Sequence, residues 1–104
     1  MNLKELNDIA RQMVADHRGL LAADESTSTI EKRLKAVSVA SSEETRRAYR
    51  ELLFTTPGME KYISGVIMYD ETIRQKTKTG VPFPEYLQSL GVVPGIKVDN
   101  GAKA

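Results

Sequence analysis

Two adjacent carboxylates, Asp24 and Glu25, are followed at once by four hydroxyls, Ser26-Thr27-Ser28-Thr29, and a turn later by Arg33. They follow the purely apolar run Leu20-Leu21-Ala22-Ala23. Hydroxyls and free backbone N–H groups at the mouth of a helix can hold a phosphate. An arginine one turn later can add a bidentate, charge-assisted contact. A second group lies in "GIKVDNG", where alternation puts Lys97 and Asp99 on one face and Ile96 and Val98 on the other. Two charges on a strand that otherwise reads as buried are costly unless they are paired or serve a polar site. The residue types together suit an anionic, phosphorylated small substrate held over the C-terminal ends of strands.

Each group also has a purely structural explanation. Ser28 and Glu31 have capping-box spacing, which accounts for them without any ligand. Lys97 with Asp99 reads equally well as an ion pair on an edge strand. Asp70 and Glu71 end a second apolar run, but acids there also favour the start of a helix. Arg46 and Arg47 read as a solvated helix face, and His17, the only histidine, as a partner of a helix C-terminus.

The elements that must position these residues are legible as period and punctuation. Leu3, Leu6, Ile9, Ala10, Met13 and Val14 recur at helical spacing behind Asn2, which predicts a helix over 3–16 closed by Arg18-Gly19. A short buried strand is expected over 20–24, with Leu20, Ala22 and Asp24 on one face. Ser28 opens a helix to about Ala36, and Ser41 with Glu44 opens another that Pro57-Gly58 stops. "SGVIMYDE" (64–71) predicts the second strand, "PFPEYLQSLG" a helix from near Pro84 to Gly91, and "PGIKVDNG" the third strand. Strands alternating with helices predict an α/β fold of parallel β/α units. Near-continuous apolar strands suit a sheet covered on both faces. Three such strands need further elements, or closure into a barrel, to protect their edges.

Composition removes several function classes. The chain has 104 residues with 15 basic and 14 acidic side chains, so its net charge of +1 offers no footprint for nucleic acid or an anionic membrane. Without cysteine there is no disulfide, thiolate metal site or cysteine nucleophile, and the cytoplasm is the default compartment. The N-terminal residues do not resemble a signal or transit peptide, and no apolar run approaches the ~20 residues of a membrane span.

"LLAADEST" followed by "IEKR", then "GVIMYDET", "GVPFP" and "PGIKVD" in that order resemble the front of class I fructose-1,6-bisphosphate aldolase. The similarity runs from about Leu6 to Gly101. The resemblance implies a (β/α)8 TIM barrel, of which residues 1–104 are an incomplete N-terminal segment holding about the first three β/α units. It implies cleavage of fructose 1,6-bisphosphate through a lysine Schiff base, with no cofactor and no metal, in a homo-oligomeric parent, a tetramer. Asp24 matches the first-strand active-site aspartate, and Lys97 the third-strand lysine that contacts substrate. Ser26 and Thr29 match hydroxyl positions near the phosphate farther from the ketone, and Arg33 matches a substrate-phosphate contact. Ser28 stands where many members carry glycine. The Schiff-base lysine belongs to a later strand, so none is expected in this chain, and the 104-residue segment alone is expected to be inactive. Two other readings remain: a sugar-phosphate-binding module using Ser26, Thr29, Arg33 and Lys97, or a barrel segment that pairs with another chain.

Overall fold

Helical and strand periods alternate along the chain, and the fold follows that alternation. The computed structural model describes residues 2–98. It contains α1 (Leu3–Val14), a 3-10 turn (Ala15–His17), β1 (Gly19–Ala23), α2 (Thr27–Ala36), α3 (Glu43–Phe54) and α4 (Met59–Tyr62). There follow β2 (Ile63–Met68), α5 (Asp70–Ile73), α6 (Phe83–Ser89) and β3 (Val93–Ile96). The strands form one parallel sheet in the order β1-β2-β3, so every connection is a helical crossover. Among the described residues the sheet is not closed. This is a partial (β/α)8 barrel of about three units.

Register assigns the faces. Leu21, Val66 and Pro94 align across the sheet, as do Ala23, Met68 and Ile96. This is the helix-covered face: Ala23, Val66 and Met68 join Phe54 of α3, Met59 of α4, and Phe83 and Leu87 of α6 in one buried cluster. Phe54 and Phe83 meet edge to face, ring centres 5.1 Å apart. The opposite face carries Leu20, Gly65 and Val93 in one row and Ala22, Ile67 and Gly95 in the next. Here Leu20 is 48% exposed, so the sheet is covered on one face and open on the other, where two covered faces were expected. The open face is the one that would line a barrel. The chain's radius of gyration, 14.5 Å, exceeds the ~13 Å of a compact domain of this length.

At the N-terminal ends of the strands, α1 lies across the sheet. Met13 approaches Gly65, and the Ser64 hydroxyl donates to the Met13 carbonyl beside the register irregularity at Gly19/Leu20. Gln12 donates to the Gly91 carbonyl at 3.2 Å.

Several boundaries differ from expectation for local reasons. The helix read as 3–16 changes to 3-10 geometry at Ala15, where His17 takes φ 57°. The capping box at Ser28 and Glu31 does not form: α2 starts earlier, with Ser26 at the N-cap. α3 is capped one residue later than expected, by Ser42, whose hydroxyl accepts from the Thr45 N–H while the Ser42 N–H donates to the Thr45 hydroxyl. A threonine thus fills the N3 position that Glu or Gln takes in the usual capping box. Gly58, at φ 83°, stops α3 as expected but also starts the unforeseen α4. The second strand ends at Met68, and Asp70 and Glu71 form the first turn of α5, where acids are favourable. β3 ends at Ile96, and the expected continuation from Asp99 onward lies outside the described residues.

Candidate functional site

A parallel sheet delivers all its strand ends to the same rim. Ala23, Met68 and Ile96 are partners in register, so the next residues, Asp24, Tyr69 and Lys97, leave the sheet at one level. The Lys97 N–H still donates to the Met68 carbonyl at 2.9 Å, which carries the pairing one residue beyond β3. Asp24 Oδ2 and Lys97 Nζ stand 3.9 Å apart, with side chains 29% and 23% exposed. That separation supports Coulomb attraction but is too long for a hydrogen bond. Among the described residues the Lys97 ammonium therefore keeps its donors for another acceptor. The alternative partner, Asp99, lies outside the described residues.

Beside this pair the hydroxyls gather at the start of α2. Ser26 Oγ lies 3.0 Å from Thr29 Oγ1 and 3.3 Å from Ser28 Oγ, so the Ser26 hydroxyl bonds both of the others. Ser26 makes no side-chain hydrogen bond to the helix backbone, in contrast to Asn2 on α1, which accepts from the Glu5 N–H at 2.8 Å. Arg33 is ion-paired with Glu25 and its side chain is 57% exposed. The structure thus brings Asp24 to Lys97 and Ser26 to Thr29, and holds Arg33 against Glu25.

Beneath the rim is a layer of three arginines, Arg46, Arg47 and Arg50, all on α3. Arg50, 2% exposed on α3, donates to Thr72 on α5, to the Glu25 carbonyl at 3.0 Å and to Glu25 Oε1 at 3.2 Å. Arg46 forks onto Glu71 through Nε and Nη2, at 2.7 and 2.9 Å, and reaches Ser41 Oγ at 2.9 Å. Arg47 pairs with Glu44 and Glu51 and donates to the Lys76 carbonyl. Arg46 and Arg47 are therefore paired and largely covered, a correction to their reading as a solvated face. The hydrogen bond from Arg46 holds the Glu71 carboxyl below the ordinary range, against burial, and Glu71 in turn raises Arg46. Burial lowers Arg50 from the ordinary arginine value, with Glu25 opposing it. A signal for Arg50 exists in the sequence: Arg46, Arg50 and Phe54 recur four apart, on the stripe that faces the core.

Among the described residues no three His, Asp or Glu side chains are grouped as a metal site, and no helix is long and apolar enough to cross a membrane. A cleft of about 200 Å³ lined by Ile9, Gln12, Gln88 and Val93 opens at the other end of the strands, away from Asp24 and Lys97.

The family model described as fructose-bisphosphate aldolase class-I matches residues 5–104. A Xanthomonas axonopodis pv. citri protein named "Probable fructose-bisphosphate aldolase class 1" is 58% identical over 103 residues, 99% of this chain and 31% of its own. An Echinococcus multilocularis fructose-bisphosphate aldolase is 60% identical over 100 residues, 95% of this chain and 28% of its own. The Plasmodium falciparum fructose-bisphosphate aldolase structure superposes with a TM-score of 0.89 at 46% identity, over 94% of this chain and 28% of that one. The chain thus spans about a third of the length of its relatives, and the matched part includes the rim that carries Asp24, Ser26, Thr29, Arg33 and Lys97. By sequence and by fold, this chain belongs to the class I fructose-bisphosphate aldolase family.

Proposed function

We propose that residues 1–104 are the N-terminal part of a single barrel domain whose complete chain is a class I fructose-bisphosphate aldolase. The reaction is the reversible cleavage of fructose 1,6-bisphosphate to dihydroxyacetone phosphate and glyceraldehyde 3-phosphate, in glycolysis and gluconeogenesis in the cytoplasm. The electron sink is an iminium formed on a lysine outside this chain, so no metal or other cofactor takes part. Within this chain Asp24 handles substrate hydroxyls, and Lys97 supplies positive charge to the substrate beside it. Ser26, Thr29 and Arg33 hold a phosphate, and Arg33 exchanges its contact with Glu25 for that phosphate. The complete protein is a homo-oligomer, a tetramer as the family resemblance implies. The observation that carries the reading is the meeting of Asp24 and Lys97 at 3.9 Å on the rim next to the Ser26–Thr29 hydroxyls.

The test is borohydride reduction of the protein as isolated from its source, in the presence of dihydroxyacetone phosphate, followed by intact-mass measurement. The expected product is much heavier than 11.5 kDa and carries one stable adduct per chain, on a peptide outside residues 1–104. An 11.5 kDa protein with no adduct would overturn the lyase reading. In that case saturable fructose 1,6-bisphosphate binding would identify a binding module.

A further inference from the structure

Arg50 is the side chain whose placement is hardest to explain as packing. It is 2% exposed, and its Nε has no hydrogen-bond partner among the described residues. Burying a guanidinium is expensive, and an apolar residue of similar volume is commonly as good or better for stability. Its other nitrogens converge on the turn after β1 and on α5, which follows β2: Nη2 meets the carbonyl and the carboxylate of Glu25, and Nη1 meets Thr72, itself fully buried. Glu25 directly follows Asp24 and directly precedes Ser26. Its other carboxylate oxygen, Oε2, receives Arg33. One buried group therefore sets the path of the backbone between Asp24 and Ser26 and, through Glu25, the resting place of Arg33.

We infer that Arg50 is a positioning residue for the phosphate-binding cradle, acting through Glu25 on Ser26, Thr29 and Arg33 without touching substrate. The inference rests on the aldolase reading and deepens it. A planar guanidinium can serve a carbonyl, a carboxylate and a hydroxyl together, whereas an ammonium cannot span the same fork. Arg50→Lys keeps the charge and loses the fork. The cradle is then free to drift, and a misplaced phosphate site weakens binding of the phosphate more than chemistry elsewhere.

The test compares wild type, Arg50→Lys, Thr72→Val and Arg33→Ala in the complete enzyme with two substrates. Fructose 1,6-bisphosphate carries the phosphate that Ser26 and Thr29 would hold, and fructose 1-phosphate lacks it. Arg50→Lys should lower kcat/KM for the bisphosphate about tenfold or more, mainly through KM, the size of one hydrogen bond to a charged group. Activity on fructose 1-phosphate should stay within about twofold, as for an interaction that substrate never makes. Adding Arg50→Lys to Arg33→Ala should give less than the product of the two effects, because both act through one contact. Thr72→Val should move the substrate ratio in the same direction, less far. Equal losses on both substrates, or full additivity, would mean that Arg50 only stabilises the fold and would overturn the inference. A wild type that cleaves neither substrate would count against the aldolase reading instead. Calorimetric titration with inorganic phosphate would then decide for Arg50 alone: unchanged affinity in Arg50→Lys overturns its role, and a tenfold loss supports it.

Discussion

Single residues set the chemistry this rim can do, and Asp24 and Lys97 show how. At 3.9 Å with both side chains part-exposed, the pair contributes little to stability, within the ~0–1 kcal/mol of exposed ion pairs. Lys97→Met in the complete enzyme should therefore leave the thermal midpoint within about 2–4 °C of wild type. If Lys97 has the proposed role of supplying charge to the substrate, kcat/KM for fructose 1,6-bisphosphate should still fall about a hundredfold or more. A large fall in the midpoint with activity retained would make Lys97 a structural residue. Ser26 offers a second contrast. Its hydroxyl bonds other hydroxyls and caps no backbone, so Ser26→Ala should cost less than about 0.5 kcal/mol of stability. The same change should weaken phosphate binding severalfold, which calorimetry with fructose 1,6-bisphosphate would read.

At the scale of elements, α3 does more than cover the sheet. Its core-facing stripe changes along its length from Arg46 and Arg50 to Phe54, so one helix ties the polar rim at one end to the aromatic core at the other. Its start depends on the reciprocal Ser42–Thr45 cap, and Ser42→Ala should cost about 1 kcal/mol, measured as loss of amide-exchange protection in the first turns of α3. The Arg46–Glu71 fork joins α3 to α5 and makes that contact acid-sensitive. Because the folded Glu71 carboxyl is depressed, its stabilisation is complete above the ordinary carboxylate value of 4.5. It is lost as pH falls below that value and through the lowered one. Exchange protection of α5 should fall over that acid window, and Glu71→Gln should show lower protection at neutral pH with the acid-dependent fall removed. A wild-type profile as flat as the variant's would mean the fork contributes nothing.

At the scale of the whole molecule, the open sheet face governs behaviour. Among the described residues β1 and β3 each have one unpaired side; Leu20 on the open face is 48% exposed, and Ile96 and Val98 at the β3 end of the other face are 43% and 88% exposed. A polypeptide made as residues 1–104 alone should self-associate, because unpaired strand edges and apolar surface are templates for pairing. Light scattering should detect this, and a stable monomer would contradict it. The same polypeptide should form no borohydride-stable adduct with dihydroxyacetone phosphate, since the nucleophilic lysine is proposed to lie elsewhere. By itself the sequence determined the alternation of strands and helices, the parallel sheet, the family, and the acidic or basic residue at the end of each outer strand. These follow from local period, turn residues and motif order, which survive without knowledge of any partner. It misplaced the caps of α2 and α3, because several hydroxyls within two residues of each other fit the same pattern and only the backbone path selects among them. Only the tertiary structure decided that Lys97 meets Asp24, since register joins residues far apart in the chain. It alone turned Arg46 and Arg47 from surface charges into paired, covered groups and placed Arg50 in the core beside them, because the fate of an arginine depends on which carboxylates and carbonyls the fold brings opposite it.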